Sequence, residues 1–89
     1  MKGTVARIFL RRLNDPANEY RRLEVLQDED SKFLLFESAL FASDPAASTT
    51  ALTNVDSQYA ILQQIWREID RLQTEGFALV RKEGRFLGD

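Results

Sequence analysis

Lys32-Phe33-Leu34-Leu35-Phe36-Glu37-Ser38-Ala39-Leu40-Phe41-Ala42 is the stretch on which the fold turns. Successive side chains of a strand point to opposite faces, and here both sets are greasy. Phe33, Leu35, Ala39 and Phe41 fall on one side, and Leu34, Phe36 and Leu40 on the other. The segment reads as a strand over 32–42 that offers apolar side chains to both faces of a sheet.

Working outward, the preceding segments supply its neighbours. Residues 4–13 are rich in β-branched and aromatic types, with Val5, Phe9 and Leu13 set between Arg7 and Arg11, and Ile8 and Leu10 on the opposite side. This spacing predicts a strand. Asp15-Pro16-Ala17-Asn18 carries the residues that a type I turn favours. Leu23 and Val25 then alternate with Arg22 and Glu24 in a second strand over 20–27, and Asp28-Glu29-Asp30-Ser31 closes a second hairpin before Lys32.

Beyond the third strand, residues 43–50 have loop composition, and 49–53 suits a short fourth strand. Between 56 and 75 the positions Tyr59, Leu62, Ile65, Trp66, Ile69 and Leu72 recur at steps of three and four, the stripe of an amphipathic helix. That stripe places Tyr59 and Trp66 against the sheet. Asp56 or Ser57 caps the first turn, and Glu68–Arg71 and Arg71–Glu75 pair on the wet face. Gly76 supplies the left-handed residue that ends such a helix. A further strand fits 77–82, followed by the turn signal Glu83-Gly84 and by Phe86-Leu87. The 89 residues therefore make one α+β domain, an antiparallel sheet of three to five strands with one long amphipathic helix on one face.

Composition removes most enzyme chemistries. There is no Cys and no His, so disulfides, the usual zinc and haem sites, thiol nucleophiles and imidazole bases are excluded. Gly3, Gly76, Gly84 and Gly88 are scattered, and none opens a helix as a phosphate loop does. Asp28, Glu29 and Asp30 read as a solvated hairpin tip, since an EF-hand's glycine and bidentate glutamate are missing. No catalytic residue, metal ligand or cofactor is expected. No apolar run approaches the length of a membrane span, and Arg7 interrupts the only candidate leader. A cytoplasmic protein without membrane attachment is the expectation.

The charges are unevenly spread. Residues 1–22 hold Lys2, Arg7, Arg11, Arg12, Arg21 and Arg22 against Asp15 and Glu19, in a chain of formal charge −2. The first hairpin brings Arg11 and Arg12 to the same end of the sheet as Arg21 and Arg22. Guanidinium forks suit phosphate or carboxylate, which makes these four candidates for anion or nucleic-acid contact. The plainer reading has them balance nearby acids or guard an edge strand.

The greater imbalance is apolar. One helix covers one face, yet the third strand is greasy on both. At roughly 25 cal/mol per Å², leaving several large side chains in water costs an amount comparable to a small domain's net stability. Leu34, Phe36 and Leu40 are therefore the candidate self-association face, in a homodimer or against a protein partner. The alternative cover is the carboxy-terminal tail, with Phe77, Leu79, Phe86 and Leu87. The expected function is a small non-catalytic binding or assembly module. The competing reading is a nucleic-acid or anionic-ligand binder using the arginines.

Asn18-Glu19-Tyr20-Arg21-Arg22-Leu23-Glu24-Val25-Leu26-Gln27-Asp28, followed by Lys32-Phe33-Leu34-Leu35-Phe36, resembles the opening of WGR domains. These are small modules of poly(ADP-ribose) polymerases and bacterial proteins. The helix from Ala60-Ile61 to Glu75-Gly76-Phe77 resembles the family's long helix. Where the family carries Trp-Gly-Arg, this chain has Ala39-Leu40-Phe41. The resemblance therefore implies antiparallel strands with one packed helix and does not carry over a nucleic-acid role.

Overall fold

The computed structural model describes residues 3–14, 18–41 and 44–84. Its elements are β1 (Gly3–Arg12), β2 (Glu19–Gln27), β3 (Phe33–Phe41), β4 (Asp44–Val55), α1 (Gln58–Thr74) and β5 (Phe77–Gly84). The strands form one antiparallel sheet in the order β4-β3-β2-β1-β5, with α1 packed against one face. The fold is α+β, as the hydrophobic pattern predicts.

Pairing with β3 converts much of the presumed loop after it into strand. β4 begins at Asp44 rather than near 49, although Pro, Ala, Ser and Thr dominate its sequence. Its register to β3 is irregular between Leu35 and Phe36 and again between Ala39 and Phe41.

The core side of the sheet carries Ala6, Ile8 and Leu10 from β1, Leu23 and Val25 from β2, and Phe33 and Leu35 from β3, all buried. Cross-strand pairs such as Ile8–Leu23 and Val25–Leu35 place them in rows. From α1 these rows receive Ile61, Ile65, Ile69 and Leu72. This corrects the expected stripe: Tyr59 is 72% exposed and Trp66 43% exposed. At 100° per residue both aromatics lie roughly 100 to 130° round the helix from the centre of the isoleucine stripe, on its solvent flank. Lys82 Nζ sits 5.7 Å from the Trp66 ring centroid, so this side of the helix lies beside β5.

Connectivity dictates how the helix crosses. β4 ends at Val55, paired with Phe33, while β5 starts at Phe77, paired with Arg12 at the other end and the other edge of the sheet. A 17-residue helix, about 25 Å long, spans that diagonal. The corner holding Phe41, Ser48 and Thr50 lies off its path, and all three are exposed.

Both helix ends are fixed locally. Ser57 is the N-cap, its Oγ accepting from Ala60 N at 3.0 Å. Gly76, at φ +100°, turns the chain into β5, and its carbonyl accepts from Leu13 N at 3.1 Å. Gly84 has φ +125°, and a Cβ there would collide with the Val5 carbonyl and Ala6. Gly76 meets only an ordinary contact with the flexible Arg12. Gly76→Ala therefore costs about 1 kcal/mol of stability from backbone conformation, whereas Gly84→Ala adds a collision and costs about 2 kcal/mol or more. Urea unfolding of both variants checks this, and equal losses would refute the close approach at Gly84.

Candidate interaction surface

Strand alternation separates the four candidate arginines. Arg21 lies opposite Leu10 on the helix side of the sheet, and Arg22 lies opposite Phe9 on the other. Arg12 shares the helix side with Arg21, and Arg11, paired with Tyr20, shares the open side with Arg22. The hairpin brings all four to one end of the sheet without gathering them on one surface.

On the helix side the arginines are consumed internally. Arg12 Nε donates to Glu19 at 2.9 Å, and Arg21 pairs with the same carboxylate. Arg21 also reaches Glu37 at 3.2 Å, and Glu37 in turn holds Arg71 of the helix at 2.6 Å. Arg71 completes the network with Glu68 at 2.8 Å and Glu75 at 2.9 Å, the pairs expected from helical spacing. Arg12 Nη1 further donates to the Glu75 carbonyl at 2.9 Å, covering a carbonyl at the helix end. Both guanidiniums lie over the buried Phe77 ring, at 4.4 and 4.9 Å from its centroid. The pairs link β1, β2 and β3 to the last turns of α1.

The network sets proton affinities. Burial raises the Glu19 carboxyl, but hydrogen bonds and charge from Arg12 and Arg21 outweigh it and hold Glu19 below its ordinary value. Burial likewise works against the Arg71 cation, and its glutamates outweigh it, raising Arg71 above the usual arginine value.

The open face has a different character. Phe9, Tyr20, Leu26, Leu34, Phe36 and Leu40 are partly buried there, around Ser38, which is only 2% exposed. The candidate residues Leu34, Phe36 and Leu40 therefore share one surface, and no described element lies over it. Its charges lie to one side: Arg7 and Arg11 on β1, Arg22 and Glu24 on β2, Arg81 and Glu83 on β5. The described open-face residues of β3 and β4 carry none. Arg7 bonds Glu24 at 3.1 Å, Arg81 bonds Glu83 at 2.7 Å, and Arg11 donates to Asn18 at 3.3 Å. Four arginines against two glutamates leave this flank basic.

Across the middle runs a polar row. Arg22 Nη2 donates to Ser38 Oγ at 3.4 Å, and Ser38 Oγ lies 3.0 Å from Thr49 Oγ1. Arg22 Nε is buried without a hydrogen-bond partner. Sequence reading missed this row, because Ser38 and Thr49 acquire meaning only through strand register.

The tail divides between settled and undescribed parts. Phe77 is buried in the helix-side core and Leu79 packs against it, so neither covers the open face. Phe86 and Leu87 lie outside the described residues.

At the acidic hairpin tip, Asp28 Oδ1 accepts from the backbone N–H groups of Asp30 and Lys32, each at 2.9 Å, so this carboxylate builds the turn. Among the described residues no acidic cluster suited to a metal is found, and no helix is long and apolar enough to cross a membrane.

Comparisons with protein families, curated proteins and solved structures find no match to this chain. The resemblance to WGR domains rests on the quoted strand and helix segments alone.

Glu19 provides the pH test. Because its folded-state pKa is depressed, the stability it contributes is complete above the unfolded carboxyl value, near pH 4 to 5, and is lost as pH falls through the folded value. Glu19→Gln should be less stable than the parent by about 1 to 2 kcal/mol at neutral pH, with the gap closing in acid. Urea titrations at neutral pH and near pH 3 measure both. A gap of equal width at the two pH values would exclude the carboxylate as its source.

Proposed function

We propose that this protein is a small non-catalytic assembly module that self-associates through the open face of its sheet. The observation that carries the reading is the apolar patch around Phe36, with Leu34, Leu40, Leu26, Tyr20 and Phe9, over which no described element lies.

Area bounds its strength. Strands about 30 Å long, laid side by side at about 4.8 Å, offer a face of roughly 700 Å², of which β2, β3 and β4 supply roughly 430 Å². A standard protein interface takes roughly 800 Å² from each partner, so the association expected is weak and concentration-dependent.

The edges of the sheet are poorer surfaces. β5 is bulged at Val80 and carries Arg81, Lys82 and Glu83. β4 has Pro45 near its start and register shifts on either side of residues 48–51. Charges, proline and bulges all blunt strand addition. The absence of cysteine is in keeping with a cytoplasmic setting.

A second reading draws on the basic flank. Arg11 and Arg22, beside Phe9 and Tyr20, favour an anionic ligand or single-stranded nucleic acid that stacks on the rings. Salt separates the two. Phosphate-driven binding falls steeply as salt rises, whereas an apolar interface holds.

Sedimentation velocity from about 1 to 100 µM is expected to show a monomer–dimer equilibrium that persists at about 0.5 M salt. The double variant Phe36→Ser, Leu40→Ser is expected to weaken it by about thirtyfold or more, with circular dichroism confirming the fold. A clean monomer of the parent protein at about 100 µM overturns self-association. Binding to a single-stranded oligonucleotide that collapses with salt and with Arg11→Gln supports the second reading.

A further inference from the structure

We infer that two copies stack open face to open face about a two-fold axis running along β3, parallel to the strands, with Arg22 of each copy meeting Thr49 of the other. This inference rests on the self-association reading and specifies its geometry.

The charge distribution selects the axis. Two sheets stacked with their strands aligned can be related by a two-fold axis close to the strand direction or close to perpendicular to it. An axis across the strands lays β1, β2 and β5 of one copy over the same strands of the other. Arg7, Arg11, Arg22 and Arg81, in excess over Glu24 and Glu83, would then face the basic flank of the other copy. Like charges so placed in a forming interface repel without compensation. An axis along β3 moves the two basic flanks to opposite sides, and each overhangs the partner's β4 edge. The uncharged open-face residues of β3 meet one another, so Phe36, Leu34 and Leu40 occupy the centre.

Register then fixes what Arg22 meets. Arg22, Ser38 and Thr49 form one row across β2, β3 and β4. Rotation about an axis along the strands preserves position along them. It therefore places β2 of one copy over β4 of the other, with this row above its counterpart. Within one protomer Arg22 Nε has no acceptor, and Ser38 Oγ is shared between Arg22 and Thr49. The second copy brings the neutral, exposed Thr49 over each Arg22, where an axis across the strands would bring the other copy's basic flank. Apolar residues drive the contact, and Arg22 acts as the positioning residue that selects one orientation.

The chain has no cysteine, so a single introduced thiol gives one spin label per protomer. Val80, 60% exposed on β5 near the row of Phe9, is the first site, and Glu83 on the same strand is the second. With the axis along β3, the two β5 strands are about six strand spacings apart, and labels at Val80→Cys give distances of roughly 30 to 40 Å. With the axis across the strands they fall to roughly 10 to 15 Å, the separation of packed sheets. Glu83→Cys is expected to repeat the long distance.

Arg22→Gln is expected to weaken the dimer about tenfold and broaden the long-distance peak, with circular dichroism showing the protomer still folded. Arg22→Lys, which keeps charge and donors, is expected to retain the narrow peak. A single short distance at both label sites overturns the proposed axis while leaving face association intact. Absence of dipolar coupling at about 200 µM, where dimer is expected to dominate, overturns the axis together with the self-association on which it rests.

Discussion

One helix has to reach from one edge of the sheet to the other, and the architecture follows from that constraint. β4 delivers the chain at Val55 and β5 collects it at Phe77, at the opposite edge and opposite end. α1 therefore lies diagonally and buries Ile61, Ile65, Ile69 and Leu72 against the rows of β1, β2 and β3. No second described helix exists for the other face. The single crossing thus explains both the closed core on one side and the apolar surface on the other, as well as the exposed corner at Phe41.

The charged residues follow the same two-sidedness. Neighbouring arginines on a strand take opposite faces, which sends Arg12 and Arg21 to the helix side and Arg11 and Arg22 to the open side. On the helix side, Glu19 of β2 and Glu37 of β3 meet them, and Glu37 passes the alternating chain of charges on to Arg71 of α1, which fastens the end of the helix over Phe77. Partly buried pairs with several partners are worth more than isolated surface pairs, because removing one member strands the others. The open side receives fewer carboxylates than guanidiniums. An acidic chain overall thus presents a locally basic flank, and the distribution of charge carries more information than its sum.

Much of this architecture was legible from the residues. The double greasy alternation of 32–42, the acidic tip at Asp28 and the Ser57–Gly76 bracket around the helix all have local physical causes. The helix orientation was less legible. The expected stripe through Tyr59, Leu62, Ile65, Trp66, Ile69 and Leu72 shares Ile65, Ile69 and Leu72 with the buried one, and its centre lies about 50° further round the helix, towards the aromatics. Packing under a crossing helix favours the compact isoleucines, with the rings left to the flank. β4 was illegible for the opposite reason. Its Ala, Ser and Thr residues have little strand signal of their own, and pairing with β3 supplies the order. The row formed by Arg22, Ser38 and Thr49 joins residues far apart in sequence and exists only once register is known.

The degree of exposure on the open face bears on how firmly any partner is held. Phe9, Tyr20, Leu26, Leu34, Phe36 and Leu40 are each partly buried within the protomer. They shelter one another, and long arginine stems can cover apolar neighbours while keeping their charged heads wet. Much of the transfer free energy of these side chains is therefore already gained before anything binds, and only the remainder is available to an interface. An obligate dimer interface resembles a core cut in half, whereas this face resembles a core left half-closed, with a serine and an arginine near its middle. On the proposed self-association, such a surface suits a protomer that folds by itself and an association that forms and dissolves with concentration.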